Sequence, residues 1–470
     1  MKKTNLIISI VALATMLLTA CGGAATTQAP AAAATQAPAA AATQAPAAAA
    51  TQAPAAAATQ APAASSGAKV NLVFWSMWNK TEPSAIAYTQ IIANFEAKYP
   101  NITISPVWNG RENQTKARTA LGGGTVIDLV DQDASQIAGG MEQEGVLLPL
   151  EDLLNSPDLD EPGTAFKDIF NPGALDMYIK DGQHYLIPYD DNPIMFFYNK
   201  DAFTKAGITA PPATWDDFLA DCAKIKATGV DPIALESDYF NEWYFSYLVE
   251  RIKGPGFLLK SIEDKTGAAW NDPVYTQALG MIQDLWTKGY IPDSAHGNMW
   301  PAGEQSMGMG KTAMELVGSW VPTELLPTTG PNFNWGAFNF PAVAGGVGKS
   351  TDLQQALLSI GVIKASKHPQ EAELFIKFLL TAQSQKLMTA QLRSSTRKGI
   401  PWPAPVMDAY NAVAGTTQIL DEMDGGAYLY AEFTNNVLTA DIVPVIQTKA
   451  TVAAFPAKMS ADAKNYWANH

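Results

Sequence analysis

Apolar residues return at two different periods once the chain passes residue 69. Val70-Asn71-Leu72-Val73-Phe74-Trp75 is a β-rich apolar run and predicts a first strand. Ile86, Ile91, Ile92 and Phe95 then fall on one side of a helical stretch, with Pro100 beyond its end. Ile102 to Val107 alternates and predicts a second strand, and Leu121-Gly122-Gly123-Gly124 marks a turn before a third, Ile127-Asp128-Leu129-Val130. Strand and helix alternate from the start, the pattern of a parallel α/β sheet with crossovers. Tyr185-Leu186-Ile187-Pro188 leads into an acidic turn, Tyr189-Asp190-Asp191-Asn192-Pro193, and Ile194 to Tyr198 predicts the next strand. A short helix from Asp201 to Ala206 is stopped by Gly207. Pro211 to Asp217 is a helix start, in which Thr214 caps and Asp217, three residues on, completes a capping box. Further helices are predicted from Pro273 to Lys288 and from Pro369 to about Thr389, the latter with Leu374, Phe375, Phe378 and Leu379 as its apolar stripe.

The first 69 residues follow another pattern. Lys2 and Lys3 precede an apolar run from Leu6 to Ala20, which is too short to span a bilayer and suits a signal-peptide core. The run ends Leu18-Thr19-Ala20-Cys21-Gly22, which resembles the bacterial lipoprotein cleavage box. That resemblance implies removal of residues 1–20 and a diacylglycerol on Cys21, which would become the mature N-terminus. Residues 21–69 hold the lipidated Cys and a linker in which Thr-Gln-Ala-Pro recurs every eight residues, at 27–30, 35–38, 43–46, 51–54 and 59–62. Each proline interrupts any helix the alanines start, and one-turn helices are unstable in water. As a flexible coil the linker spans roughly 40 Å, and as polyproline II roughly 150 Å. No later run is long and apolar enough for a membrane span. The expected location is extracytoplasmic, with the membrane engaged through the lipid anchor alone.

Charge narrows the partners. The chain has 31 Lys+Arg against 45 Asp+Glu, and only Lys2, Lys3 and Lys69 precede residue 70. The rest therefore carries 28 bases and 45 acids, a net of −17. So acidic a balance argues against nucleic acid or anionic lipid held by a basic patch. All 12 Trp lie beyond residue 70, too much apolar mass to leave in water. At roughly 150 residues per domain, the 401 residues suggest two or three domains. If Cys21 is lipidated, Cys222 has no partner; Trp215, Phe218, Leu219, Cys222 and Ile225 recur at helical spacing, which puts Cys222 on a buried helix face.

Several segments, taken in order, resemble the solute-binding proteins of ATP-binding cassette importers, in the large extracellular sugar-binding family of maltose-binding protein. They are Leu72 to Trp75, Phe95 to Ile102, Gly145 to Leu150, Tyr185 to Pro188 and Phe197-Tyr198-Asn199-Lys200-Asp201. Ala206-Gly207-Ile208 through Thr214-Trp215, Gly310 to Met314, Gly318-Ser319-Trp320 and Ala372 to Leu380 continue the series. Two departures stand out: Ile127-Asp128 replaces the usual Pro-Asp, and Leu353 to Leu358 is rich in Gln and Leu. The resemblance implies an α/β, two-lobed periplasmic-binding-protein fold whose chain crosses a hinge more than once. Lobe 1 is expected at 70–189 plus 354–398 and lobe 2 at 190–353 plus 399–470. The ligand lies between them, and hinge closure presents a ligand-dependent surface to permease subunits. A monomer without cofactor or metal is expected.

A saccharide offers apolar C–H faces to aromatic rings and hydroxyls to carboxylates and amides. Trp78 and Asn79 follow the first strand at the edge where open α/β sheets bind ligands, and Asp131, Gln132 and Asp133 follow the third in the same way. Asp190, Asp191 and Asn192 fall where the family's chain first crosses the hinge; as a structural alternative they are a solvated turn. Asp238, Tyr239 and Trp243 match a family region that contacts sugar, and Trp320 matches its stacking position. Trp300, Trp402, Tyr428 and Tyr430 are further aromatic candidates. Against an enzyme, the carboxylate pairs Asp190/Asp191 and Glu236/Asp238 are too close in sequence to flank a glycosidic bond in the usual way. His184, His296, His368 and His470 lack metal spacing, and no Gly-x-Ser-x-Gly elbow occurs. Gly348-Lys349-Ser350 fails as a phosphate loop because Val343 stands where the first Gly is required. A passive adhesive lipoprotein would have no use for a hinge. The ligand is a carbohydrate on this reading, with a polyamine or glycerol phosphate as the alternative in the same binding role and a secreted glycoside hydrolase as the remote one. Arg111 and Arg393 are the available anion contacts.

Overall fold

Leu72 and Phe74 are fully buried while Asn71 is exposed, so the first apolar run forms a strand with one face inward, β1 (Val70–Ser76). The computed structural model describes residues 68–237, 241–416 and 418–470. Cys21, the leader and most of the linker lie outside the described residues, as do Asp238 and Tyr239. The helix Pro83–Lys98 buries Ala85, Tyr88, Ile91, Ile92 and Phe95. Ile86, expected on that face, is 50% exposed, because the buried stripe runs one residue out of phase with it. β2 (Ile102–Trp108) and β3 (Leu129–Asp133) then flank β1, both parallel to it. The third strand lies two residues later than its apolar run suggests, so Asp131 and Gln132 belong to the strand rather than following it.

β4 (Ile187–Asn199) corrects the largest local expectation. The predicted acidic turn at 189–193 is instead the middle of one 13-residue strand. β5 (Asp231–Ile233), β6 (Thr312–Gly318), β7 (Trp335–Phe338), β8 (Asp352–Val362) and β9 (Gln418–Leu420) complete a nine-stranded sheet of order β2-β1-β3-β8-β4-β6-β5. β7 pairs with β4, and β9 with β8. The sheet is mixed: β5 and β6 are parallel, but β8 runs antiparallel to both β3 and β4.

β4 and β8 join the two halves. Leu72, Phe74, Phe95, Ile187, Tyr189, Leu358, Phe375 and Met388 share one apolar cluster. Ile194, Phe196, Phe218, Tyr247, Trp270, Leu316, Phe433 and Met459 share another. Residues 190–193 belong to neither, so the strand passes from one core to the next through four residues without an apolar cluster of their own. This is a two-lobed α/β architecture with paired strands at the crossing.

The local signals elsewhere hold in part. Thr214 and Asp217 form the capping box at the start of helix Trp215–Ala227, which buries Cys222. The helix expected from Pro369 to about Thr389 is two: Pro369–Leu379 and Ala382–Ala390. Thr381 makes the break, its side chain accepting from Ser384 N at 3.3 Å to start a new helix. Among the described residues no helix is long and apolar enough to cross a membrane.

Candidate functional site

The parallel strands of each half end at the same seam. In the first half, β1 runs out into Met77 and Trp78, both buried. Trp78 Nε1 donates to the Tyr189 hydroxyl at 3.2 Å, which donates to Asp131 Oδ2 at 3.1 Å. Asp131 Oδ1 also accepts the Met77 N–H at 2.8 Å, so the strand end and the tryptophan hang on one carboxylate. Burial pushes that carboxyl up to about 6, against the hydrogen bonds it receives. Two guanidinium groups lie against the indole, Arg111 at 4.8 Å and Arg393 at 5.1 Å from the ring centroid.

At the crossing, strand alternation sorts the polar residues by face. Asp190 and Asn192 point the same way as Ile194 and Phe196; Asp191 points the other way, with Met195 and Phe197. Asp190 Oδ2 accepts Arg393 Nε at 2.6 Å and pairs with its Nη2, while Oδ1 accepts Ser394 N at 3.1 Å. Arg393 Nη2 reaches Asn192 Oδ1 at 3.4 Å. Burial raises the Asp190 carboxyl despite this pairing. Asp191 is held by its backbone, with N–H to Ser394 O at 2.9 Å and C=O accepting Ser319 Oγ at 3.3 Å. Its carboxyl oxygens have no hydrogen-bond partner among the described residues. Burial, and then the neighbouring Asp190 charge, push it up to about 8.

A raised carboxyl binds its proton more tightly in the folded state than in the unfolded one. Its contribution is therefore fully present below about pH 4 and is lost as pH rises towards 8. Asp191→Asn should flatten the fall in stability between pH 5 and 8 and raise the urea midpoint at pH 8. An unchanged slope in midpoints taken at pH 5, 6.5 and 8 would show that Asp191 is not the titrating group.

In the second half, β5 is followed three residues on by Glu236-Ser237, and β6 directly by Ser319-Trp320. Gly318 has a packing reason: a Cβ there would fall within the Trp320 ring, which folds back over it. Trp320 meets Trp243 with centroids 6.1 Å apart and planes tilted by 58°. Asn241 Nδ2 donates to Glu236 O at 3.0 Å and sets the start of the helix Asn241–Lys253 that carries Trp243. Burial, then the Asp133 and Glu242 charges, push the Glu422 carboxyl up to about 8, against the polar side chains of Trp243 and Ser135. Burial raises the Glu304 and Glu315 carboxyls, followed by the charge of Glu324 for the first and of Glu236 for the second.

Ligand groups meeting here would find aromatic faces, guanidinium donors and carboxyl acceptors between two lobes. Residues 79–386 match the model of the bacterial extracellular solute-binding proteins. The chain belongs to that family. A Brucella abortus (strain 2308) protein named as a binding protein is 27% identical over 301 residues, 62% of this chain and 68% of its own. The sn-glycerol-3-phosphate-binding periplasmic protein UgpB of the same strain is 31% identical over 190 residues, 40% of this chain and 36% of its own. Among solved structures, a chitin oligosaccharide binding protein superposes with a TM-score of 0.68 at 23% identity, covering 86% of this chain and 99% of its own. The bacterial solute receptor AcbH, described as preferring β-D-galactopyranose, gives 0.70 at 18% identity over 85% and 99%.

Within this solute-binding chain the expected residues separate. Trp78, Asp190 and Asn192 gather around Arg393, and Trp243 and Trp320 meet each other. Asp191 lies on the opposite face of the strand from its two neighbours, because one residue of strand reverses the side chain. Asp133 caps a short helix, accepting from Ser135 N at 3.0 Å and Ser135 Oγ at 2.6 Å. Asn79 is exposed and donates to Glu82 at 2.7 Å. Tyr428 packs edge-on against Tyr178, 4.9 Å between centroids. The sequence alone does not single out Tyr189 or Glu422, and it offers Arg111 and Arg393 only as anion contacts. Scarcity was the available signal: the chain has five arginines, at 111, 118, 251, 393 and 397.

Proposed function

We propose that this family member is the lipid-anchored, extracytoplasmic binding component of an ATP-binding cassette importer, which captures a carbohydrate between its lobes and delivers it to the permease. The observation that carries the reading is the Trp243–Trp320 pair at the end of β6, facing across the seam from the Trp78–Arg393–Asp190–Asn192 network. Tilted indoles supply C–H stacking, and the network supplies oriented donors and acceptors for hydroxyls. An oligosaccharide suits such a spread of aromatic surface. The Leu-Thr-Ala-Cys21 box supports the anchor. Lobe limits at 70–189 plus 354–398 and 190–353 plus 399–470 are supported by the two apolar clusters. The role is binding rather than catalysis, by a monomer.

Glycerol phosphate is the second reading, favoured by the UgpB likeness and by Arg111, whose side chain is 42% exposed beside Trp78. A thermal-shift screen of the mature chain against mono- to tetrasaccharides, polyols, glycerol phosphate and polyamines separates the two, since a ligand of the folded state raises the midpoint by mass action. A saturable shift with saccharides is expected. A shift with glycerol phosphate alone would transfer the role to that ligand, and shifts with polyamines alone would put the carboxyls at the centre of recognition.

A further inference from the structure

Four glutamates from four segments of the second half meet in its interior. Glu236 follows β5, Glu315 lies in the middle of β6, Glu304 is on the helix Ala302–Gly308 and Glu324 ends the helix Val321–Glu324. Glu236, Glu304 and Glu315 are buried, and Glu324 is half-buried. Glu304 N donates to Glu236 Oε1 at 3.0 Å, and a Cβ on Gly303 would lie 2.8 Å from the same carboxyl. Thr328 Oγ1 donates to Gln305 Oε1 at 2.5 Å, which ties the helix of Glu304 to the segment of Glu324. Both carboxyl oxygens of Glu304 and of Glu315, and Oε2 of Glu324, are buried without a hydrogen-bond partner among the described residues. Carboxyls packed in this way cannot all carry charge.

Glu324 also faces the first lobe. Its N–H and that of Thr323 donate to Trp320 O, so it stands one turn beyond that tryptophan. Thr323 Oγ1 donates to Leu392 O at 3.1 Å, next to Arg393. Burial raises the Glu324 carboxyl, against the Glu304 side chain and the charges of Arg111 and Arg393, while Glu82 adds to the rise. Arg393 is committed to Asp190 and Asn192. Arg111 is the more available cation: its side chain is 42% exposed and pairs with Glu82 at 2.9 Å. On the inner side, Glu315 faces Glu236, Glu324 and Tyr244 of the helix Asn241–Lys253.

We propose that Glu324 is a proton-controlled latch between the lobes: protonated, it stays against Glu304 in the second lobe, and ionised, it pairs across the seam with Arg111 of the first. The latch rests on the two-lobed fold and not on which ligand the cleft takes. Its drive is the cost of a charge where the side chain sits now. Burial there outweighs the attraction of both arginines, so a carboxylate gains by moving outward to the exposed Arg111. Glu304, pushed up to about 11 by burial and then by the Glu324 charge, keeps its proton and stays neutral behind it. A raised carboxyl favours the folded state fully below about pH 4, and that contribution is lost as pH rises through its folded value. The inner position therefore weakens with rising pH while the pair across the seam strengthens.

The test needs no ligand. Melting temperatures of the mature chain, Arg111→Gln, Glu324→Gln and the double variant are taken at pH 4.5 and 8.5, with the radius of gyration from X-ray scattering at both. At pH 8.5 Arg111→Gln should lower the melting temperature by about 1–2 °C more in the wild-type background than in Glu324→Gln. At pH 4.5 the two backgrounds should respond equally, because Glu324 then carries no charge. The wild-type radius of gyration should fall between pH 4.5 and 8.5 relative to that of Glu324→Gln, as the lobes are drawn together. Equal responses to Arg111→Gln at both pH values overturn the pairing. A coupling at pH 8.5 without relative compaction overturns the latch, since the two charges then interact without moving the lobes. Either failure leaves the carbohydrate reading untouched, and failure of the thermal-shift screen leaves the latch standing.

Discussion

Arg393→Met should destabilise the protein by about 3–5 kcal/mol at neutral pH, more than any surface substitution. Arg393 and Asp190 are 5% and 0% exposed at the side chain, and the guanidinium also serves Asn192 and lies against Trp78. Removing it strands a buried carboxylate with no other cation paired to it among the described residues. The cost is the desolvation of that charge, so replacing both partners should cost far less than replacing one. Urea unfolding of Arg393→Met, Asp190→Leu and the double variant checks this. A double variant as unstable as the sum of the two singles would mean that the pair is not coupled and that packing explains the loss.

Gly318→Ala should reduce ligand affinity by about 2 kcal/mol, roughly 30-fold, close to the effect of Trp320→Ala. The backbone at 318 needs no left-handed conformation, so alanine itself is tolerated by the strand. The added methyl collides with the indole folded over it, and the ring must swing away from Trp243. The two substitutions thus remove the same surface by different routes. Calorimetric titration of both variants with whichever ligand the screen returns gives the comparison. If Gly318→Ala binds normally while Trp320→Ala does not, the ring reaches the ligand from a different rotamer than the one seen. If neither loses affinity, the tryptophan pair is not the binding surface.

Local chemistry was legible where one residue decides a conformation. Thr214 with Asp217 and Gly207 after a short helix act over three or four residues and need no knowledge of the rest of the fold. The crossing was not legible. Asp190-Asp191-Asn192 between Pro188 and Pro193 has the composition of a turn, and the usual evidence for a buried strand is apolar side chains. At the crossing the strand serves neither core, and the side chains of Asp190 and Asn192 are met by Arg393 and Ser394, some 200 residues away along the chain. The Ile86 misphase and the break at Thr381 have smaller causes: a competing apolar residue one position off the stripe, and a hydroxyl that begins a second helix inside a continuous apolar pattern. For the site, residue type pointed to Trp78, Asp190, Asn192, Trp243 and Trp320. Type alone could not separate Asp191 from its neighbours, since that depends on knowing the segment is a strand.

Tyr189 is the extra residue in β4. The register with β8 passes from Leu358 opposite Asp190 to Ser359 opposite Pro188, which leaves Tyr189 without a rung. Elsewhere the two crossing strands are laddered to each other and to the sheets on both sides. Mechanically the lobes are therefore not doors on loose pins but two ends of a leaf spring, stiff along its length and notched at one place. A bulge concentrates twist and bending where it sits. The notch is also where Trp78 and Asp131 are tied through the tyrosine hydroxyl, so bending there acts directly on the hydrogen bonds that hold the first lobe's tryptophan.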